Sequence, residues 1–170
     1  MIAPATPSQL PALHALIERA YRGDTAKAGW THEADLLGGQ RTDLDALREM
    51  LADANQRLLV AQRDDAFVGC VFVKRCAADR CYLGLLTVEP TLQAGGLGRR
   101  LIAAAEAAAR EMGATVMEMT VIERRLELVR WYERRGYRLT GERRPFPLDD
   151  PRFGLPKTRD LGFVMLERSI

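Results

Sequence analysis

Apolar residues near the start of the chain recur at helical spacing: Leu10, Leu13, Ile17, Ala20 and Tyr21 share one face, with His14 at its edge. Thr6-Pro7-Ser8-Gln9 reads as the capped start of that helix, with Pro at the first helical position and Gln three residues after Thr. Gly23 is the natural stop. Periodicity then fades through residues 24–41, which contain Gly29, Gly38 and Gly39. It returns in a second helix capped by Thr42 or Asp43 and carrying Leu44, Leu47 and Leu51. Beyond it the apolar pattern becomes strand-like in three runs: Arg57 to Arg63, Ala66 to Cys76, and Arg80 to Glu89. Only Asp64-Asp65 and a turn near Ala78-Asp79 separate them, so loop length predicts an antiparallel meander.

Pro90 ends the third run. A helix follows from about Gly98 to Met112, with Leu101, Ile102, Ala105, Ala109 and Met112 on one face and Gly113 as its stop. Thr115 to Val121 reads as a strand, and strand–helix–strand order favours parallel pairing. A helix from about Glu123 to Arg135 ends at Gly136, and a strand is expected near Tyr137 to Thr140. Phe163 to Leu166 is apolar on both faces and so belongs inside the sheet or at a covered edge. The order predicts an α/β (α+β) fold, a central mixed, mostly antiparallel sheet with helices on both faces. With no repeat, low-complexity tract or linker, residues 1–170 read as one domain.

Composition narrows the function classes. Lys plus Arg total 25 against 23 Asp plus Glu, a net charge of +2 that leaves no general nucleic-acid footprint. Arginine clusters at Arg124-Arg125, Arg134-Arg135 and Arg143-Arg144 read as solvated faces and loop ends. No stretch approaches the roughly 18 apolar residues of a bilayer span, and the first residues lack the pattern of a secretory signal. Cys70, Cys76 and Cys81 lie in strand-like surroundings without paired-cysteine or histidine spacing, which suggests reduced, buried thiols and no metal. The expectation is a cytoplasmic protein with no membrane, nucleic-acid or metal partner.

The segment that carries chemistry runs from Val88 to Arg100. A strand enters a turn with Gly95, Gly96 and Gly98 and continues directly into a helix. Glycines let the backbone approach a ligand closely. The first helical amides are unpaired, and the helix dipole favours negative charge there, so the turn is suited to phosphate. A Walker loop requires Gly-Lys-[Ser/Thr], whereas Gly98 precedes Arg99-Arg100. A dinucleotide fingerprint requires a third glycine where Leu101 stands, and would open a βαβ unit rather than follow several strands.

Gln93-x-x-Gly96-x-Gly98, after a strand ending Val88-x-Pro90, resembles the acetyl-CoA-binding motif of the GNAT-superfamily N-acetyltransferases. Trp131-Tyr132-Glu133-Arg134-Arg135-Gly136-Tyr137 is similar to that family's second signature, and the order of elements matches over nearly the whole chain. The resemblance implies direct acetyl transfer from acetyl-CoA, a co-substrate used without metal, to a primary amine of a small-molecule or amino-acid-like acceptor. It implies that backbone amides of Gln93, Ala94, Gly95, Gly96, Leu97, Gly98 and Arg99 hold the pyrophosphate, with added charge from Arg99 or Arg100. It also implies that Leu86, Thr87 and Val88 pair with the pantetheine arm, that the Val88 amide stabilises the oxyanion, and that Tyr132 protonates the departing thiolate.

Other assignments stay open at the level of sequence. Glu89 and Glu33 are the acidic candidates for a general base, with a water relay as the alternative. Many relatives have Asn seven residues before the helix tyrosine, where this chain has Arg125, so that contact is missing or replaced. For the acceptor, Trp30 could stack while Glu33 or Asp35 attracts an amine. Alternatively Arg143, Arg144, Arg152 and Lys157 could meet a carboxylate. A non-catalytic acyl-CoA sensor and an enzyme acting on protein N-termini or lysines are the rival readings. A homodimer through the last strand rests on analogy alone.

Overall fold

The computed structural model describes residues 1–170. A short strand, β1 (Ile2–Pro4), precedes a 3₁₀ turn at Pro7–Gln9, where the Thr6 amide donates to Gln9 Oε1 at 2.9 Å. Helix α1 (Leu10–Tyr21) buries Leu10, Leu13, Ile17 and Ala20 of its predicted stripe, adds Leu16, and leaves Tyr21 half-buried. After the one-turn helix α2 (Gly23–Ala26) and the two-residue strand β2 (Leu37–Gly38) comes α3 (Leu44–Ala52). Asp43 caps α3, its carboxylate accepting from the Ala46 amide at 2.8 Å. The meander forms as β3 (Gln56–Arg63), β4 (Ala66–Ala77) and β5 (Arg80–Val88), each pair antiparallel. Then come α4 (Leu97–Glu111), β6 (Val116–Ile122), α5 (Leu126–Glu133) and β7 (Arg138–Pro145). The two-residue β8 (Leu155–Pro156) and β9 (Gly162–Ser169) complete the chain.

The seven-stranded sheet has the order β1-β3-β4-β5-β6-β9-β7. Its edge strand β1 pairs antiparallel with β3 and has no sequence signal, because three residues are too few for an apolar pattern to show. β9 is internal, between β6 and β7, one of the two positions that its two-sided apolar run allowed. The strand after α5 reaches Pro145 rather than Thr140. Its eight residues are all exposed, so no buried face marked its continuation. A separate ribbon pairs β2 with β8, fastening the segment after α2 to the one after β7.

The sheet is divided between two apolar layers. Leu101, Ile102, Ala105 and Ala109 of α4 pack on one face with Val71, Val73, Leu83 and Met117. Leu10, Leu13 and Ile17 of α1 pack on the other with Leu58, Val60, Cys70 and Phe72. The alanine face predicted for α4 lets that helix lie close to the strands.

Two irregularities open the middle of the sheet. β5 and β6 pair in parallel only where Arg80–Tyr82 meets Val116–Glu118, although β5 continues to Val88 and β6 to Ile122. Past that point the strands part and leave a wedge. On the other side of β5, Cys70 faces Thr87 while Phe72 faces Gly84, so β5 carries one extra residue near Leu85. Leu85 has a φ of +46°, uncommon for a leucine and consistent with a bulge that bends the strand at the mouth of the wedge.

Candidate active site

The turn from Gln93 to Gly96 delivers the chain from β5 to α4. Ala94 and Gly96 have φ of +68° and +82°, and left-handed Gly96 is the N-cap of α4. The first backbone bond of the helix is donated by Arg100 to the Gly96 carbonyl, 3.2 Å. None of the amides from Ala94 through Arg99 donates to a protein acceptor. No acidic side chain occupies the first turn of α4, although such a residue would stabilise a helix start. A run of free donors at an uncompensated helix N-terminus is an anion site. A Cβ on Gly98 would sit 3.3 Å from the Trp131 indole, so the loop and α5 approach each other closely there.

This loop forms one wall of a cavity of about 540 Å³. The end of β5 (Leu86, Thr87, Val88) forms another wall, and Leu128, Trp131, Tyr132 and Arg135 of the α5 region close the far side. The Glu89 amide donates to the Val68 carbonyl at 2.8 Å. Successive strand amides point to opposite sides, so the Val88 N–H is turned away from β4 toward the wedge. Gln93 serves the architecture: its side-chain amide donates to the Val88 carbonyl at 3.4 Å and packs against Gly29. The Tyr21 hydroxyl donates to the Leu86 carbonyl at 2.8 Å, so that acceptor is already engaged.

Cationic charge collects where the free amides point. Arg135 stacks on the Trp131 ring at 3.5 Å and donates to the Trp131 carbonyl at 2.7 Å. Its buried Nε has no partner. Burial, with the nearby charges of Arg134 and Arg99, lowers the pKa of this guanidinium, a crowding that an anion would relieve. Arg99 also lines the cavity.

A second cavity, about 290 Å³, occupies the wedge between β5 and β6. It shares Tyr21, Leu86, Arg125, Leu128 and Tyr132 with the first, so the two spaces meet at these side chains. Tyr132 is 5% exposed, and no protein group hydrogen-bonds its hydroxyl. Burial is the main cause that pushes its phenol pKa far above the usual value, so it stays protonated at any working pH. The remaining walls include Leu37, Met119, Ile122, Phe146, Phe153 and Phe163, with Tyr82 and Thr120, beside the charged groups Arg22, Glu33, Arg41 and Arg125.

The structure redistributes several expected roles. Glu89 lines neither cavity: Arg19 of α1 donates to its carboxylate at 2.8 Å, so its reading as a general base has no geometric support. Glu33 is buried at 6% and bound by Arg22, while Arg125 donates to its other oxygen at 3.3 Å. Burial raises its pKa, but Arg125, Arg41 and Arg22 outweigh that and the net shift is downward. Glu33 is therefore a buried, charged hub with both carboxylate oxygens engaged by arginines. Trp30 stands over Trp131, ring centroids 6.2 Å apart, and lines the loop cavity rather than the wedge. Asp35 lines neither space.

The cations expected of the late loop are otherwise engaged. Arg143 pairs with Glu123, Arg144 with Glu142 and Arg152 with Asp150, while Lys157 donates to the Ala34 carbonyl at 2.6 Å. Arg22 and Arg41, which do line the wedge, carried no sequence signal because neither belongs to a motif. Arg125, seven residues before Tyr132, reaches across to Glu33 and to Thr31 Oγ1, 2.8 Å away. Cys70 and Cys81 are buried, as expected, but Cys76 is exposed. No group of three or more His, Cys, Asp or Glu is placed to hold a metal ion, and no helix is long and apolar enough to cross a membrane.

A family model described as an acetyltransferase (GNAT) domain matches residues 31–146. No curated protein matches the sequence. Among solved structures, the ribosomal-protein-alanine N-acetyltransferase of Brucella melitensis superposes with a TM-score of 0.73 at 20% identity, over 100% of this chain and 99% of its own. The protein yncA of Salmonella typhimurium, solved with its cofactor acetyl-CoA, gives 0.71 at 18% identity, covering 99% and 92%. A GNAT acetyltransferase of Elizabethkingia anophelis with acetyl-CoA bound gives 0.67 at 15% identity, covering 100% and 97%.

Proposed function

Because this chain belongs to the GNAT acetyltransferase family, whose model spans residues 31–146, we propose that it transfers the acetyl group of acetyl-CoA directly to the primary amine of a small-molecule acceptor held in the wedge. The observation that carries this reading is the meeting of the two cavities at the Tyr132 side chain. One cavity offers free amides to an anion, and the other is a mostly apolar chamber opening on the same phenol. An acyl donor and an amine acceptor in these spaces face each other without an enzyme-bound intermediate.

In this reading the amides from Ala94 to Arg99 hold the pyrophosphate, with Arg99 and Arg135 adding charge. The pantetheine arm runs along Leu86–Val88 toward the wedge. The amine nitrogen attacks the thioester carbonyl, and the Val88 N–H stabilises the oxyanion. The carbon–sulfur bond then breaks as Tyr132 gives its proton to the sulfur; the surplus proton on nitrogen leaves to water, and the Tyr132 phenolate is reprotonated from water.

The closed wall favours a small acceptor over a protein chain. The β2–β8 ribbon, the Lys157 bond to Ala34 and the Arg22 bond to the Phe153 carbonyl, 3.3 Å, bind the late segment across the wedge. An extended peptide needs an open groove there.

Calorimetric titration with acetyl-CoA, beside ATP and NAD, tests the donor site. Micromolar binding of acetyl-CoA alone is expected, followed by thiol release with an amine panel. Binding without release across that panel would favour a non-catalytic sensor. Gly96→Val places a β-branched residue at φ +82° and should weaken acetyl-CoA binding about tenfold or more, with the fold retained. Unchanged affinity in this variant would remove the loop from the donor site.

A further inference from the structure

The wedge contains three guanidinium groups against one carboxylate. Arg22 and Arg125 are 6% and 8% exposed, and both bind Glu33. Arg41 Nε lies 3.8 Å from Glu33, too far to count as a hydrogen bond. Both Glu33 oxygens are already engaged by the other two arginines. An arginine carries five donors in a planar fork suited to a carboxylate. Arg41 spends none of them on the protein: its guanidinium rests 4.9 Å above the Tyr21 ring and faces the cavity. The Nε atoms of Arg22 and Arg125 are buried in the same wall without a hydrogen-bond partner, the nearest carboxylate to that of Arg125 being Glu127 at 3.8 Å. This is an excess of positive charge and of unused donors, in a chamber whose other walls include Leu37, Met119, Ile122, Phe146 and Phe163, with the hydroxyls of Tyr82 and Thr120 bonded to each other at 2.9 Å.

We propose that the acceptor is an amino acid with an apolar side chain, its carboxylate held by the Arg41 fork and its side chain packed among the wedge aromatics. This rests on the acetyltransferase reading and names the substrate class for the same site. The balance of charge decides against a polyamine or an aminoglycoside-like cation. Such a molecule would meet net positive charge with its only nearby carboxylate already occupied. A volume of about 290 Å³ suits a single amino acid rather than a peptide.

The same arrangement accounts for the lack of a free carboxylate base. Cationic surroundings and exclusion of water both disfavour an ammonium, so the bound amine loses its proton more readily than in solution. The acceptor carboxylate balances part of the arginine charge and the amine reaches Tyr132 neutral. The nitrogen–carbon bond then forms, the surplus proton on nitrogen passes to water, and the carbon–sulfur bond breaks as Tyr132 protonates the sulfur and is itself reprotonated from water.

The test is thiol release by the full chain with acetyl-CoA and matched acceptors: leucine, phenylalanine and methionine, their amides, the amines lacking the carboxylate, spermidine, and a leucine-initiated tripeptide. Free amino acids should exceed their amides and decarboxylated counterparts by about tenfold or more in kcat/KM. Arg41→Gln should raise KM for the amino acid about tenfold with a smaller change in kcat, and Arg41→Lys should recover only part of the loss. Acetyl-CoA affinity serves as the check that each variant is folded. As a readout independent of turnover, 3-phenylpropionate should compete with the amino acid in the wild type and lose that competition in Arg41→Gln. Preference for spermidine, an amide or the tripeptide would overturn the amino-acid proposal while leaving the acetyltransferase reading intact. Absence of acetyl-CoA binding, or of release with every amine, would overturn both.

Discussion

Tyr132→Phe is expected to lower kcat by about a hundredfold or more, with acetyl-CoA affinity changed by less than about threefold. The substitution removes one oxygen and leaves the ring contacts with Trp131 and Tyr137, at 5.0 and 5.8 Å between centroids, in place. Burial pushes the phenol pKa upward, so the hydroxyl is a donor across the assay range and its ionisation imposes no alkaline limb on the wild-type profile. With the proton source gone, the thiolate must leave unprotonated or take a proton from water. The variant should therefore respond more strongly than the wild type to a lower leaving-group pKa in an acyl-thioester series. Turnover at saturating substrates within about twofold of the wild type would exclude Tyr132 as the proton donor.

The second large effect is on stability. Glu33→Ala should cost about 3–5 kcal/mol, because it strands the charges of Arg22 and Arg125 in a buried site. At this chain length that corresponds to a fall in Tm of about 10 °C. The sign of the pH dependence follows from the lowered Glu33 pKa. Its folded-state value lies below its unfolded value of about 4.3, so the stabilisation is complete above that range and is lost as pH falls through the folded value. The stability gap between wild type and Glu33→Ala should be widest near neutrality and narrow in acid. Urea titrations at about pH 7 and about pH 3.5 measure both points. A cost below about 1 kcal/mol near neutrality would show that the two arginines find other partners or water.

Tyr132 lies on the helix where its motif places it, whereas Glu33 has neighbours that its loop does not reveal. Tyr132 was legible because it sits in a local motif on a helix whose apolar face is easily recognised. Glu33 was singled out for its charge and its loop, and read as a partner for an amine or as a base. Its actual neighbours come from the end of α1, from the segment before α3, and from the residue preceding α5. No spacing rule links positions 22, 33, 41 and 125. The partner of Glu89 was hidden for the same reason: Arg19 lies 70 residues earlier.

The sequence by itself determined what depends on neighbours along the chain. Helices α1, α3 and α4 follow from periodicity and caps, the β3–β5 meander from two tight turns, and the parallel β5–β6 pairing from the crossover helix between them. The anion-binding turn is local too, since glycines and a helix start are sequence features. The tertiary structure alone decided where β5 and β6 part, which arginines surround Glu33 and which one keeps its donors free. Those features depend on distant segments converging, with burial and charge acting through space rather than along the chain. The donor loop could therefore be read from a motif, whereas the wedge is built by the packing of unrelated segments.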